Sequence, residues 1–173
     1  KSKFAYILML NSDDFFIPNG IDKLLDYMIT NRLDLAYGKM AIQKKNQVFQ
    51  FKHPGYFSHS YVGKRDEFID LLIYDMYMPS FGTIIKKSIL EDFYNMRYIK
   101  KLDDEFGESF KAHDYDLFLN LSKKGIKIGF LNEFVCVWKP SEDSQSGSTY
   151  FNSGCAAAES AFLFNRYNDK NLI

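Results

Sequence analysis

The chain has 173 residues, of which 46% are hydrophobic and 25% charged, the balance of a folded domain with a sizeable core. Its 22 lysines and arginines equal its 22 aspartates and glutamates, so it lacks the basic excess of a dedicated nucleic-acid-binding protein. No apolar stretch approaches the ~18 residues that a membrane-spanning helix needs. Cys136 and Cys155 do not have the spacing of a zinc site and are expected to be free thiols.

The first predicted element is a strand over residues 4–10, FAYILML. The run is apolar at both alternating positions, which predicts a strand that is covered on both faces and lies in the middle of a sheet. A central strand needs a neighbour on each edge. We therefore expect further strands upstream of Lys1, supplied by the same chain or by a second one.

Helices and strands alternate through the rest of the chain, which predicts an α/β fold. A helix that begins at Pro18 or Asn19 places its apolar side chains on one face: Ile21, Leu24, Leu25, Met28 and Ile29. Further helices are predicted over residues 65–74, 88–94, 114–124 and 154–167. Strands are predicted over residues 34–43, 47–52, 80–86, 127–131 and 134–138, and loops over 53–62, 98–112 and 140–149.

Two adjacent carboxylates, Asp13 and Asp14, follow the first predicted strand. Ligands of open α/β sheets bind beyond the carboxyl ends of strands, and two close carboxylates repel unless a cation joins them. Oxygen ligands suit Mg²⁺ or Mn²⁺, ions that also hold diphosphates. The alternative is that the pair only forms a turn and a helix start, because Asp is a favoured turn residue.

A second acidic site lies in KAHDYDLFLNLSKKG, residues 111–125. Asp114 stands at the start of the predicted helix, where it can face a cleft. The alternative is a helix N-cap, a position that Asp favours. Asp116 lies two residues further on and therefore projects elsewhere around the helix.

These motifs, in this order, resemble the catalytic half of family-2 glycosyltransferases with the GT-A fold. The resemblance covers residues 3–148 and is carried by Asn11-Ser12-Asp13-Asp14 with Pro18, Tyr37-Gly38, Pro79-Ser80-Phe81-Gly82, Lys86-Lys87-Ser88, His113-Asp114-Tyr115-Asp116-Leu117, and Trp138 with the polar loop after it. It implies a GT-A-like mixed central sheet flanked by helices, without the N-terminal half that binds the nucleotide. Residues 1–150 would form this partial catalytic domain and residues 151–173 a C-terminal helix.

The resemblance also implies an activity: transfer of a sugar from a nucleotide-sugar donor to an acceptor hydroxyl, with inversion and with Mn²⁺ or Mg²⁺. Asp114 matches the catalytic base, and Asp13 matches the metal ligand. Asn11, Asp13 and Asp14 would contact the donor diphosphate and metal, and His113, Gly82 and Trp138 would lie on the acceptor side.

The family further implies a carbohydrate or lipid-linked acceptor and a role in cell-envelope polysaccharide or glycan synthesis. Its implied location is the cytoplasm, including peripheral association with the inner face of the membrane. Because the nucleotide-binding half would lie upstream or on another chain, residues 1–173 alone are expected to transfer sugar weakly.

The chain departs from the family pattern at three places. Asn11 replaces an Asp, His113 replaces a Glu, and residues 139–149 contain no metal-binding His, which leaves Glu142 or Asp143 as replacements. The rival hypothesis is a noncatalytic carbohydrate-binding or scaffolding remnant of the same fold. The uncharged Asn11 favours the remnant, whereas the joint presence of the acidic residues at both sites favours the enzyme.

Overall fold

The computed structural model describes residues 4–11, 14–44, 47–50, 59–63, 66–91, 96–107, 110–139, 150 and 152–168, and the structural statements below concern these residues. In chain order the elements are β1 (Tyr6–Leu8), β2 (Phe15–Phe16), α1 (Gly20–Thr30), β3 (Leu35–Lys44), β4 (Gln47–Gln50), β5 (Tyr61–Val62), α2 (Glu67–Tyr74), β6 (Thr83–Lys86), α3 (Lys87–Glu91), α4 (Met96–Phe106), α5 (His113–Lys123), β7 (Ile128–Trp138) and α6 (Cys155–Asn168). A 3₁₀ turn, Ser80–Gly82, leads into β6.

The described strands form one mixed sheet in the order β1-β6-β3-β7-β2, with β4 paired to β3 and β5 paired to β7. The central strand is β3, which runs antiparallel to β4 and β6 and parallel to β7. The predicted α/β class and the mixed sheet flanked by helices are therefore confirmed.

Alternate side chains of β3 enter two hydrophobic cores, one on each face of the sheet, as the two-residue period of a strand requires. Ala36 packs with Leu24 of α1 on one face. Tyr37 packs on the other face, in the core that holds Phe118 of α5 and Leu163 of α6. The C-terminal helix thus shares the core of the helix that carries Asp114.

Most predicted elements are found near their predicted bounds. The strands predicted over residues 34–43 and 47–52 are β3 and β4, and the helices predicted over 114–124 and 154–167 are α5 and α6. No helix in the described part of the chain is both long and apolar enough to cross a membrane.

The first strand differs from the prediction. β1 covers only Tyr6–Leu8 and is paired on one side within the described sheet, antiparallel to β6. Phe4 and Leu10 are 77% and 53% exposed, so the strand is shorter than the predicted range of residues 4–10, while its predicted place between two neighbouring strands stays a prediction. The apolar pattern reports which faces can be buried, but it carries no information on which edges find a partner.

The predicted loop over residues 98–112 is also wrong, because the structure has α4 (Met96–Phe106) there. The high charge of this segment conceals its amphipathic period. Leu102 is fully buried, while Lys101 and Glu105 form an ion pair one turn apart on the exposed side. Such pairs stabilise a helix.

The two strands predicted around residues 132–133 are one strand, β7, with an irregularity at the predicted break. Gly38 pairs with Leu131, and the next residue, Lys39, pairs with Phe134. Met40 then pairs with Cys136, so the register with β3 shifts first by two residues and then by one, as at β-bulges, before regular pairing resumes.

Candidate functional site

The turn after β1 is held together by Asp14, which is 8% exposed. The Asn11 side-chain amide donates to Asp14 Oδ2 at 2.8 Å, and the Lys139 backbone N–H donates to Asp14 Oδ1 at 3.0 Å. Each carboxylate oxygen thus accepts a hydrogen bond from the protein. Asp14 thus joins the segment after β1 to the end of β7.

Asp13 and the polar loop lie outside the described residues. The prediction that Asp13 binds a metal therefore stays a prediction, as does the replacement of a family histidine by Glu142 or Asp143. The predicted turn at Asp14 is present: the Asp14 N–H donates to the Asn11 carbonyl at 3.4 Å.

Asp114 is half-buried in the first turn of α5. The helix begins at His113 with Ala112 as its N-cap residue, so Asp114 lies inside the helix and is not its cap. The Tyr115 N–H donates to Asp114 Oδ1 at 3.0 Å. The carboxylate therefore satisfies one of the N–H groups that the first turn of a helix leaves without a partner.

Opposing effects act on the pKa of Asp114. Burial raises the pKa of this carboxyl, and hydrogen bonds from the Tyr115 N–H and the Ser80 hydroxyl, with the nearby His113, lower it. Burial prevails, so the pKa of Asp114 stands above its ordinary value. A carboxylate with a raised pKa is a stronger base than an exposed one.

Ser80 is a site residue that the sequence indicated only as part of a longer motif. It opens the 3₁₀ turn Ser80–Gly82, and its hydroxyl bonds to Asp114. The Thr83 hydroxyl, directly after the turn, donates to the Pro79 carbonyl, directly before it, at 2.6 Å. This hydrogen bond holds the two ends of the turn together. The turn thus holds Ser80 at a fixed position beside Asp114.

The 3₁₀ turn also packs against β7. A Cβ added at Gly82 would come within 2.6 Å of Cys136 Sγ, so only glycine allows this approach. Cys136 pairs with Phe16 of β2, the strand that directly follows Asp14, and burial, then the charge of Asp14, raise the pKa of the Cys136 thiol to about 12. The turn therefore contacts Asp114 through Ser80 and β7 through Gly82.

The three residues predicted for the acceptor side differ in their surroundings. His113 is half-buried, and the centre of its ring lies 5.3 Å from the centre of the Phe110 ring. In the described part of the chain its Nδ1 has no hydrogen-bond partner. Gly82 is buried and has the packing role just described. Trp138 ends β7, pairs with Ile42 and is half-buried.

The sequence did not indicate Tyr150 or Glu159. Glu159 accepts hydrogen bonds from the Lys111 and Ala112 N–H groups, just before α5. The Tyr150 hydroxyl donates to Glu159 Oε2 at 2.6 Å. Burial raises the pKa of Tyr150, and the charges of Glu159 and Asp114 raise it further. No local pattern predicts this contact, since Glu159 looks like one more polar residue on a helix.

The described residues contain no group of three or more His, Cys, Asp or Glu side chains that could hold a metal ion. Mg²⁺ in nucleotide enzymes is commonly held by one or two carboxylates together with substrate phosphates. Asp13 adjoins Asp14, whose oxygens already accept hydrogen bonds. The donor set is compatible with an ion held by Asp13 and a diphosphate, and it offers no protein-only cage among the described residues.

No protein-family model matches the chain, and no curated protein matches it.

Proposed function

We propose that the chain is the catalytic region of a nucleotide-sugar-dependent glycosyltransferase that resembles family 2 and has a GT-A-like fold. The observation that carries the proposal is Asp114, a half-buried carboxylate with a raised pKa that is hydrogen-bonded by Ser80. A single displacement at a sugar carbon requires such a base for the acceptor hydroxyl, together with a site for the departing diphosphate.

In the proposed reaction Asp114 accepts the proton of an acceptor hydroxyl. The acceptor oxygen then forms a bond to the anomeric carbon of the donor, and the bond from that carbon to the diphosphate oxygen breaks. Attack from the face opposite the leaving group inverts the configuration. General-base assistance of this kind contributes about 10²–10⁴-fold in rate.

Ser80 has a positioning role in this scheme. Its hydroxyl donates to the Asp114 carboxylate and, by stabilising the charged form, keeps the base deprotonated over a wider pH range. Orientation of a reacting group by fixed neighbours lowers the barrier because the geometry is set before the reaction.

Asp14 and Asn11 prepare the donor side. Asp14 ties the turn after β1 to Lys139, so the polar loop starts beside the proposed diphosphate site. The Asn11 amide nitrogen is engaged by Asp14, which leaves the Asn11 amide oxygen for a donor hydroxyl. A divalent cation bound by Asp13 and the diphosphate would neutralise the charge that develops on the leaving group.

The rival function, a noncatalytic carbohydrate-binding or scaffolding remnant, is favoured by one observation. Asp14 has both oxygens engaged by the protein, as a purely structural turn residue would. The raised pKa and half-buried setting of Asp114 favour the enzyme, because a binding module gains nothing from a destabilised carboxylate.

Sugar transfer distinguishes the two functions. The protein, expressed with whatever sequence precedes Lys1 in its gene, is incubated with Mn²⁺ or Mg²⁺, a panel of nucleotide-sugars, and carbohydrate or lipid-linked acceptors. Acceptor-dependent release of nucleoside diphosphate, with an inverted glycoside as product, is the expected result. Carbohydrate binding by calorimetry without release of diphosphate would support the remnant and contradict the enzyme.

A further inference from the structure

Glu159 is a carboxylate of α6 that is only 2% exposed. It accepts the Lys111 N–H at 3.1 Å on Oε1, and the Ala112 N–H at 2.8 Å and the Tyr150 hydroxyl at 2.6 Å on Oε2. A buried carboxylate is tolerated only with such partners. All of them lie in the segments that approach Asp114 along the chain or in space.

Lys111 and Ala112 immediately precede α5, and Ala112 is its N-cap residue without a side-chain cap. Glu159 thus fixes the backbone two and three residues before Asp114 from a helix that is 47 and 48 residues away in sequence. The direction of the first turn of α5 depends on this backbone. That turn also holds the Tyr115 N–H, which donates to Asp114 Oδ1.

Tyr150 adds a second connection to the same place. Its hydroxyl is bound to Glu159, and the Lys111 ammonium lies 5.5 Å from the centre of its ring. Burial, then Glu159 and Asp114, raise the pKa of Tyr150, so the phenol stays neutral and remains a hydrogen-bond donor. The Tyr150–Glu159 hydrogen bond thus lies against the backbone that leads into α5, because the Ala112 N–H binds the same Glu159 oxygen.

We propose that Glu159 is a positioning residue for Asp114, and that Tyr150 holds the Glu159 carboxylate in place. The proposal rests on the proposed function only in taking Asp114 as the base. A displacement of about 1 Å at a reacting group can lower a rate ~10²-fold, so a residue that sets the first turn of α5 acts on turnover.

Contacts other than those of Glu159 also hold α6 in place. Leu163 is fully buried, and the Tyr167 hydroxyl donates to Asp116 Oδ1 at 2.9 Å. Tyr167→Phe therefore provides a matched control. It removes a hydrogen bond between α6 and α5, but not one to the backbone that precedes Asp114.

The test compares Glu159→Gln, Tyr150→Phe and Tyr167→Phe with the natural protein. Glutamine keeps the shape of Glu159 but presents an amide nitrogen that cannot accept from an N–H. The expected result is about 10- to 100-fold lower kcat in Glu159→Gln with an unchanged KM for the donor, a smaller decrease in Tyr150→Phe, and an unchanged kcat in Tyr167→Phe.

Amide hydrogen exchange supplies a readout that does not need turnover. Faster exchange at Lys111, Ala112 and Tyr115 is expected in Glu159→Gln and is not expected in Tyr167→Phe. Unchanged protection at Tyr115 in Glu159→Gln would overturn the proposal whether or not the protein transfers sugar, and so would faster exchange with an unchanged kcat. If Glu159→Gln does not fold, the same pair of measurements on Tyr150→Phe decides. A natural protein that transfers no sugar overturns the proposed function, while Tyr115 exchange still decides the role of Glu159.

Discussion

Asp14 and Asp114 are both acidic residues near element ends, yet the protein treats them in opposite ways. Asp14 is almost fully buried and has a hydrogen bond from the protein on each oxygen. Asp114 is half-buried, and its hydrogen bonds do not compensate the effect of burial on its pKa. A fully satisfied carboxylate stabilises a fold, whereas a carboxylate kept in an unfavourable environment is typical of a chemical role.

Asp114 and Asp116 show the same contrast within one helix. Asp116 is fully buried and accepts hydrogen bonds from the Tyr167 hydroxyl at 2.9 Å and the Asn120 amide at 3.1 Å. It fastens α5 to α6, on the side away from Ser80. Two residues of spacing thus separate a structural aspartate from a proposed base, as the geometry of a helix predicts.

The largest effect is expected from Asp114→Asn. Asparagine cannot take the proton of the acceptor, so kcat should fall by about 10²–10⁴-fold while donor binding is retained. Asp26→Asn, an exposed position on α1, is the matched control and should leave kcat unchanged. Transfer assays with donor binding by calorimetry measure both quantities. Full activity of Asp114→Asn would remove Asp114 as the base.

A somewhat smaller effect is expected from Asp13→Ala on binding. Loss of the proposed metal ligand should weaken binding of the metal–diphosphate pair by about 10²-fold, since the cation supplies several kcal/mol of charge stabilisation. Calorimetric titration with Mn²⁺ and UDP or GDP measures it, with Asp22→Ala on the exposed side of α1 as the control. Equal binding by the natural protein and Asp13→Ala would contradict the metal assignment.

The third prediction compares the stabilities of two substitutions of the same kind. In Asp14→Asn, one of the two donors to Asp14, the Asn11 amide or the Lys139 N–H, faces an amide nitrogen that cannot accept its hydrogen bond. The free energy of unfolding should therefore fall by about 1–3 kcal/mol. Asp114→Asn should raise it at neutral pH. Burial raises the pKa of Asp114, so the folded state binds more protons than the unfolded state between the two pKa values, and the contribution of Asp114 to stability falls as the pH rises through that window.

Thermal denaturation of both variants at neutral pH measures this difference. Shifts of the two melting temperatures in opposite directions are expected. Shifts in the same direction would mean that Asp14 and Asp114 have the same kind of environment. That result would contradict the contrast between a satisfied carboxylate at Asp14 and a destabilised one at Asp114.

Local patterns in the sequence predicted much of the fold but not its long-range partners. The apolar period of α1 and the alternation of β3 are local, and both elements formed where expected. α4 was missed because its many charged residues conceal the apolar period to which Leu102 belongs. The pairing of β1 with β6 was not predicted, because strand pairing is decided by distant segments.

The same division holds at the candidate site. The sequence indicated Asp14 and Asp114 through their positions after a strand and at a helix start. It did not indicate that Asp14 binds the Lys139 N–H, 125 residues away, or that Glu159 binds the backbone before α5. Hydrogen bonds between segments so distant in sequence leave no periodic trace in it.

The central claim, that Asp114 is the base, is tested most directly by the pH dependence of kcat in the natural protein and in Ser80→Ala. We expect kcat to fall at acid pH, with the midpoint of this fall above the ordinary pKa of Asp. Because the Ser80 hydrogen bond lowers the pKa of Asp114, its removal should move this midpoint to higher pH. A midpoint that is the same in both proteins, or that persists in the residual activity of Asp114→Asn, would contradict the assignment of Asp114 as the base.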